Sequence, residues 1–249
     1  MLSLGNGSDY YIYGSMSTAS YIAKVGEPLG SFYGLVTDGI LQTGEEKEKA
    51  KFTSAPASAK AGDQLYKDID GDEAFSTTND RTIVGNAQPD FTFGIANNIR
   101  YKNWDISFFF QGVVGNEIIN ANELSLSLYS GQQNATARAL GRWTEANPST
   151  TVNRAKLDPA TNFSDIYVED GSFLRLKTAT LAYNFKKSVL RSLNLSNLKL
   201  YVTANNLWTI TNYKGFDPEI TTASNLYQGR DSGAYPVAKS YSFGIVVGF

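Results

Sequence analysis

The sequence predicts an all-β fold: the C-terminal antiparallel strands of a transmembrane β-barrel, with long extracellular loops that carry short helices. Three observations predict it. The last ten residues, 240–249, place Tyr241, Phe243, Ile245, Val247 and Phe249 on one face, with Ser242, Gly244, Val246 and Gly248 on the other. Four earlier segments alternate in the same period of two. The connections between the five alternate between short and long, as periplasmic turns and extracellular loops do.

The first strand, 91–101, sets Phe91, Phe93, Ile95, Ile99 and Tyr101 against Thr92, Gly94, Ala96, Asn98 and Arg100. Lys102 and Asn103 read as a tight turn. The second strand, 104–113, turns Trp104, Ile106, Phe108 and Phe110 outward and Asp105, Ser107 and Gln111 inward. The third, 172–185, alternates cleanly only from Ala179 to Phe185, and its mixed start, Phe173-Leu174-Arg175-Leu176, predicts a bulge. The fourth, 197–207, opposes Leu198, Leu200, Val202 and Ala204 to Lys199, Tyr201, Thr203 and Asn205. The fifth is 239–249. Residues 114–171 and 208–238 are then extracellular loops. Residues 1–90 form an extracellular loop region with an acidic loop at 68–80. About eight strands are needed to close a barrel, so the chain reads as part of a larger one. Its start lacks the basic and apolar runs of a leader peptide, which also points to a piece of a longer protein.

Composition narrows the chemistry. The chain has 249 residues, a net charge of −2, no cysteine and no histidine. Such a charge gives no reason to expect a nucleic-acid partner. Without histidine the chain cannot build Ser-His-Asp or Cys-His catalysis or a His-ligated zinc site, and an enzyme is not expected. Mean hydropathy is −0.27, which strands of alternating polarity tolerate within a membrane.

Four groups of residues invite functional readings. Asp68, Asp70, Asp72 and Asp80 have the alternate spacing that lets carboxylates converge on a hard cation such as Ca2+. Glu73 stands where a glycine usually makes the sharp turn, and the alternative is an acidic turn capping its own amides. No other cofactor is expected. Arg142 and Trp143, in a weakly helical stretch from Asn134 to Glu145, form a candidate substrate contact or a packing pair. Asp217-Pro218-Glu219 fits a loop-shaping turn better than a pair of catalytic carboxyls, which must face each other across a cleft. Ser242, Gly244, Val247 and the terminal Phe249 resemble the signal that hands outer-membrane barrels to the barrel-assembly machinery. The rival to the barrel is a soluble or surface-exposed β-rich binding module with a calcium-binding acidic loop.

A set of ordered blocks goes further. They include Val25-Gly26-Glu27-Pro28-Leu29-Gly30-Ser31-Phe32-Tyr33-Gly34, Asp80-Arg81-Thr82-Ile83-Val84-Gly85-Asn86 and Gln88-Pro89-Asp90-Phe91-Thr92-Phe93-Gly94. Asp170-Gly171-Ser172-Phe173-Leu174-Arg175-Leu176 and Gly215-Phe216-Asp217-Pro218-Glu219 continue them. In this order they resemble the SusC/RagA family of TonB-linked outer-membrane transporters. The resemblance implies the outer membrane of a Gram-negative, Bacteroidetes-like cell and contact with its lipid. It implies import of oligosaccharides or peptides beneath a SusD-like surface lipoprotein, driven by the TonB complex through a plug. Plug and TonB box have no counterpart here, so the resemblance implies a C-terminal fragment that cannot transport unaided.

Overall fold

The computed structural model describes residues 9–15, 19–127, 134–156, 162–220 and 226–249. The chain forms two units, one of residues 1–88, 117–170 and 220–234, the other of residues 89–116, 171–219 and 235–249. Strands are numbered along the chain.

In the first unit, β1 (Tyr10–Ser15), β2 (Ala19–Lys24), β3 (Ser31–Leu35) and β6 (Arg81–Asn86) form an antiparallel sheet in the order β1-β2-β3-β6. A two-stranded pair joins β4 (Thr37–Ile40) to β5 (Gln64–Tyr66). The third sheet, in the order β10-β9-β14, joins β9 (Glu117–Asn120), β10 (Val168–Asp170) and β14 (Arg230–Asp231). Tyr21, Phe32, Ile119, Leu124 and Phe163 pack its core. The expectation of a loop region over 1–90 therefore needs correction. The segment carries six strands and part of a buried core, because Ala19–Ile22 and Ser31–Leu35 hold enough apolar side chains to bury. The charge run at 45–49 is a short exposed helix, α1 (Glu46–Lys49), stapled by a 2.7 Å Lys49–Glu45 bridge.

The second unit is one antiparallel sheet in the order β7-β8-β11-β12-β15. Its strands are β7 (Phe91–Tyr101), β8 (Trp104–Val114), β11 (Phe173–Asn184), β12 (Asn197–Asn205) and β15 (Ser240–Gly248). They run 11, 11, 12, 9 and 9 residues, the ~9–11 that a tilted strand needs to span a bilayer. Among the described residues no helix is long and apolar enough to do so. The fold is all-β, as the alternation predicts.

Register aligns the side chains in rungs. Tyr101, Trp104, Tyr183, Leu200 and Ile245 share one; Ile99, Ile106, Leu181, Val202 and Phe243 share the next. All lie on one face, apolar across the sheet except at Asn97. Much of it is uncovered: Phe243 is 83% exposed and Ile245 65%. The opposite face carries Arg100, Asp105, Ser107, Thr180, Lys199 and Thr203.

The bulge expected early in β11 falls at Lys177, where the pairing with β8 shifts between Leu176 and Thr178. It explains the mixed start. An extra residue inserted after Leu176 restores Leu174 and Leu176 to the same face as Ala179 and Leu181. Alongside it, β12 stops at Asn205 because Asn206 takes a positive φ of 53°, and pairing with β11 resumes in β13 (Thr209–Thr211). Aromatic rings cover glycines across paired strands. A Cβ on Gly112 would lie 2.2 Å from the Phe93 ring, and one on Gly244 2.2 Å from the Tyr201 ring. Gly112→Val should therefore displace Phe93 and cost about 1–3 kcal/mol. The measure is the urea midpoint of the heat-modifiable folded band, and an unchanged midpoint would refute the packing.

Candidate functional site

The polar face of the second unit carries several clusters of charge and hydrogen bonding. Arg100 Nε donates to Asp105 Oδ1 at 2.7 Å, Asn184 Nδ2 donates to Asp105 Oδ2 at 2.8 Å, and Lys199 Nζ lies 3.8 Å from the same oxygen. The Thr180 and Thr203 hydroxyls meet at 2.9 Å, and Asn205 Nδ2 donates to Ser240 Oγ at 3.1 Å. A shallow cavity of about 380 Å³ opens here, lined by Asn98, Arg100, Asp105, Ser107 and Lys199. Such a surface favours water and polar solutes, which suits the interior wall of a barrel.

Above the bulge this face holds a buried ion network. Arg175 is 2% exposed. Its Nη2 donates to Asp217 Oδ1 at 2.6 Å, Nη1 to Glu219 Oε2 at 2.7 Å and Nε to Thr209 Oγ1 at 2.8 Å. Lys177 Nζ reaches Glu219 Oε2 at 2.7 Å. The second Asp217 oxygen accepts the Val237 N–H at 3.0 Å. Burial works to raise the Asp217 pKa, but Arg175 and the Glu219 and Val237 amides outweigh it and hold the carboxyl below its ordinary range. Asp217 and Glu219 thus hold a loop rather than face each other across a cleft. The sequence reading missed Arg175 and Lys177. The available signal was a lone arginine in an otherwise apolar strand opening, with two acids two residues apart downstream.

In the first unit, the acidic loop brings together three of its four aspartates. Carboxylate oxygens of Asp68, Asp70 and Asp80 lie within 4.8 Å of one another. Asp72 turns away to accept the Ala74 N–H at 2.9 Å. Backbone amides occupy much of the rest: Asp68 accepts from Gly71 and Glu73 at 2.6 and 2.7 Å. Slight burial works upward on Asp68, and those two amides more than offset it, lowering the carboxyl. Asp80, fully buried, accepts from Ile69 at 2.7 Å and from Ser76 at 2.6 Å. Glu73 takes the left-handed conformation, φ 62°, at the turn where a glycine was the expectation.

The other sequence candidates separate. Trp143 lies half-buried against Gly62, where a Cβ would meet its ring at 2.7 Å, and its Nε1 donates to Gln42 at 3.1 Å. Arg154 and Lys156 clamp nearby Asp63 at 2.7 and 2.8 Å. Arg142 is exposed and donates to the Ala139 carbonyl of its own 3-10 turn, Ala137–Gly141. The indole is therefore engaged in packing. In β15, Ser242 pairs with Thr203, Gly244 with Tyr201 and Val247 with Leu198, while Phe249 is 96% exposed.

No family model matches the chain. TonB-dependent receptor P3 of Formosa agariphila is 37% identical over 259 residues, across all of this chain and 25% of the receptor. TonB-dependent receptor SusC of Bacteroides thetaiotaomicron is 24% identical over 98% of this chain and 22% of its own length. Among solved structures, the RagAB peptide transporter superposes on 99% of this chain with a TM-score of 0.77 and 26% identity. The chain belongs to the SusC/RagA family of TonB-dependent receptors. It spans about a quarter of the length of these relatives. Two blocks that carry the family resemblance in sequence, 170–176 and 215–219, meet in space at the Arg175–Asp217 pair.

Three expectations rest on these contacts. Arg175→Met leaves the buried Asp217 without its ion partner, while Glu219 keeps Lys177, and should cost about 3–5 kcal/mol, with faster proteolysis between Tyr213 and Lys239. Because the Asp217 carboxyl is depressed, its contribution is complete above its unfolded pKa of about 3.9 and is lost as pH falls through the lower folded value. Protection of the loop should therefore fall only in acid, and less steeply in Asp217→Asn. Separately, Asp80→Ala removes the carboxylate that accepts from the partly buried Ile69 and Ser76 amides and should cost about 1–3 kcal/mol. Amide exchange at Ile69 and Ser76 should accelerate; unchanged exchange would show the cap is idle.

Proposed function

We propose that this chain forms the C-terminal strands and loops of an outer-membrane importer for nutrients, oligosaccharides or peptides, working with a SusD-like lipoprotein and powered by TonB. The observation that carries the reading is the sheet with one apolar face, broken only at Asn97 and largely uncovered, and an opposite face that carries hydrogen-bonded polar clusters. A soluble sandwich would bury the first against a second sheet. On this reading lipid covers the apolar face, the polar face lines the solute path, and the long connections lie outside the cell. The relatives support an importer rather than an enzyme. One solved relative is described as a peptide importer, and SusC is the other named reference point. The peptide importer supports peptides, and oligosaccharides stay in the proposal on the sequence resemblance alone.

Two further roles belong to the proposal. A calcium ion on Asp68, Asp70 and Asp80 would pin the acidic loop; added calcium should slow its proteolysis in the parent protein but not in Asp70→Asn. Phe249 and Ser242, Gly244 and Val247 would serve recognition by the assembly machinery, since an almost fully exposed ring contributes little to packing.

The test is a deletion of the full-length gene, with growth scored on defined glycans and on peptides as sole nutrient. We expect loss of growth on one class, together with co-purification of a surface lipoprotein by the tagged receptor. Normal growth on every nutrient with no lipoprotein recovered would refute the importer. In the deletion strain complemented with the full-length gene, Phe249→Ser should lower surface copies several-fold against the unmodified gene, while the copies that arrive keep their heat resistance.

A further inference from the structure

The turn end of the sheet combines three features that transport does not use. The first is an apolar groove of about 780 Å³ on the lipid side, lined by Trp104, Leu181, Tyr183, Leu200, Phe243 and Ile245. These residues belong to two neighbouring rungs near the short turns, with Leu198 and Val247 one rung nearer the turn. The second is an aromatic cluster at the groove's mouth. The Trp104 and Tyr183 rings lie 4.8 Å apart and Tyr183 and Phe185 5.1 Å apart, the amphipathic arrangement that settles at a membrane–water interface.

The third is charge. The two short connections, 102–103 and 185–196, carry Lys102, Lys186, Lys187 and Arg191 and no acid. All four are exposed, and no ion pair involving them is found among the described residues. Lys102 lies over the Tyr101 ring, Nζ 5.1 Å from its centroid, and Lys186 directly follows Phe185. The basic residues in 186–191 share the short helix α2 (Lys187–Ser192) and its approach with Val189, 39% exposed, and Leu193 just after it is 54% exposed. Cations beside exposed apolar side chains mark a segment that rests on a membrane surface.

We infer that this rim and groove hold an anionic glycerophospholipid, one acyl chain against Leu181 and Phe243 and the phosphate against Lys102, Lys186 and Lys187. A zwitterionic lipid would fill the groove equally well but leaves the uncompensated cations without a partner. The position at the short turns selects an inner-leaflet phospholipid over lipopolysaccharide, whose phosphates lie at the loop end. The inference rests on the barrel reading of the preceding subsection.

The experiment reconstitutes the full-length protein in vesicles of phosphatidylethanolamine with a minor share of phosphatidylglycerol, then identifies retained lipids by native mass spectrometry. Phosphatidylglycerol should be enriched several-fold over its share in the vesicle. The enrichment should vanish in Lys102→Gln/Lys186→Gln/Lys187→Gln and persist in the loop control Lys47→Gln/Lys51→Gln. High salt should weaken it in the unmodified protein, an arm that needs no variant to fold. Retention at the vesicle's own proportion, equal retention by the triple variant, or displacement by added lipopolysaccharide would each overturn the assignment. Normal insertion without lipid preference would sink this inference and leave the barrel standing; failure to insert would remove both.

Discussion

The structure depends on one constraint: a sheet with lipid on one side must pair its backbone groups internally and sort its side chains with a strict period of two. In hydrocarbon no water compensates an unpaired amide, and a one-residue slip exchanges the two faces. The long ladders meet the first condition between neighbouring strands from β7 to β15, and the outer edges of β7 and β15 find no partner among the described residues. The rungs meet the second, with apolar side chains aligned strand after strand and polar ones aligned opposite.

That constraint explains why so much of the second unit was legible. Each membrane-spanning strand writes the two-fold rule into its own residues, so Phe91–Tyr101, Trp104–Val114 and Ser240–Gly248 could be read locally, as could their outward faces. The strand 173–184 was harder only because its extra residue breaks the period in the middle. Even there the break itself was the signal of a bulge.

The first unit was less legible for the opposite reason. Its strands are short, six residues or fewer in β1 to β6, and are fixed by contacts between segments far apart in sequence, such as β3 with β6. Residues 1–90 therefore looked like a loop. The candidate sites followed the same division. The acidic loop was visible because its aspartates are neighbours in sequence. The Arg175 network was not, since its charges come from two segments some forty residues apart. Trp143 was ambiguous because a tryptophan in a loop has the same appearance whether it meets a ligand or, as here, covers a glycine. The acid pair 217/219 illustrates how one chemistry reads two ways: carboxylates two residues apart recur in catalytic proposals, yet here they have a buried arginine as partner. Removing that arginine alone would leave the buried Asp217 charge without a cation, since Lys177 serves only Glu219, which makes the network a strong constraint on the conformation of its loop whatever its net contribution to stability.

The bulge at Lys177 has a consequence for sequence change. Elsewhere in these strands, gaining or losing one residue inverts every side chain beyond it and places charges in lipid. At 177 the extra residue is absorbed without inversion: Leu176 and Ala179 stay on one face whether one residue or two stand between them. The strand thus has a single position at which its length is free to vary, located where the wall meets its loop anchor. Insertions and deletions in this wall should accumulate there and be purged on either side.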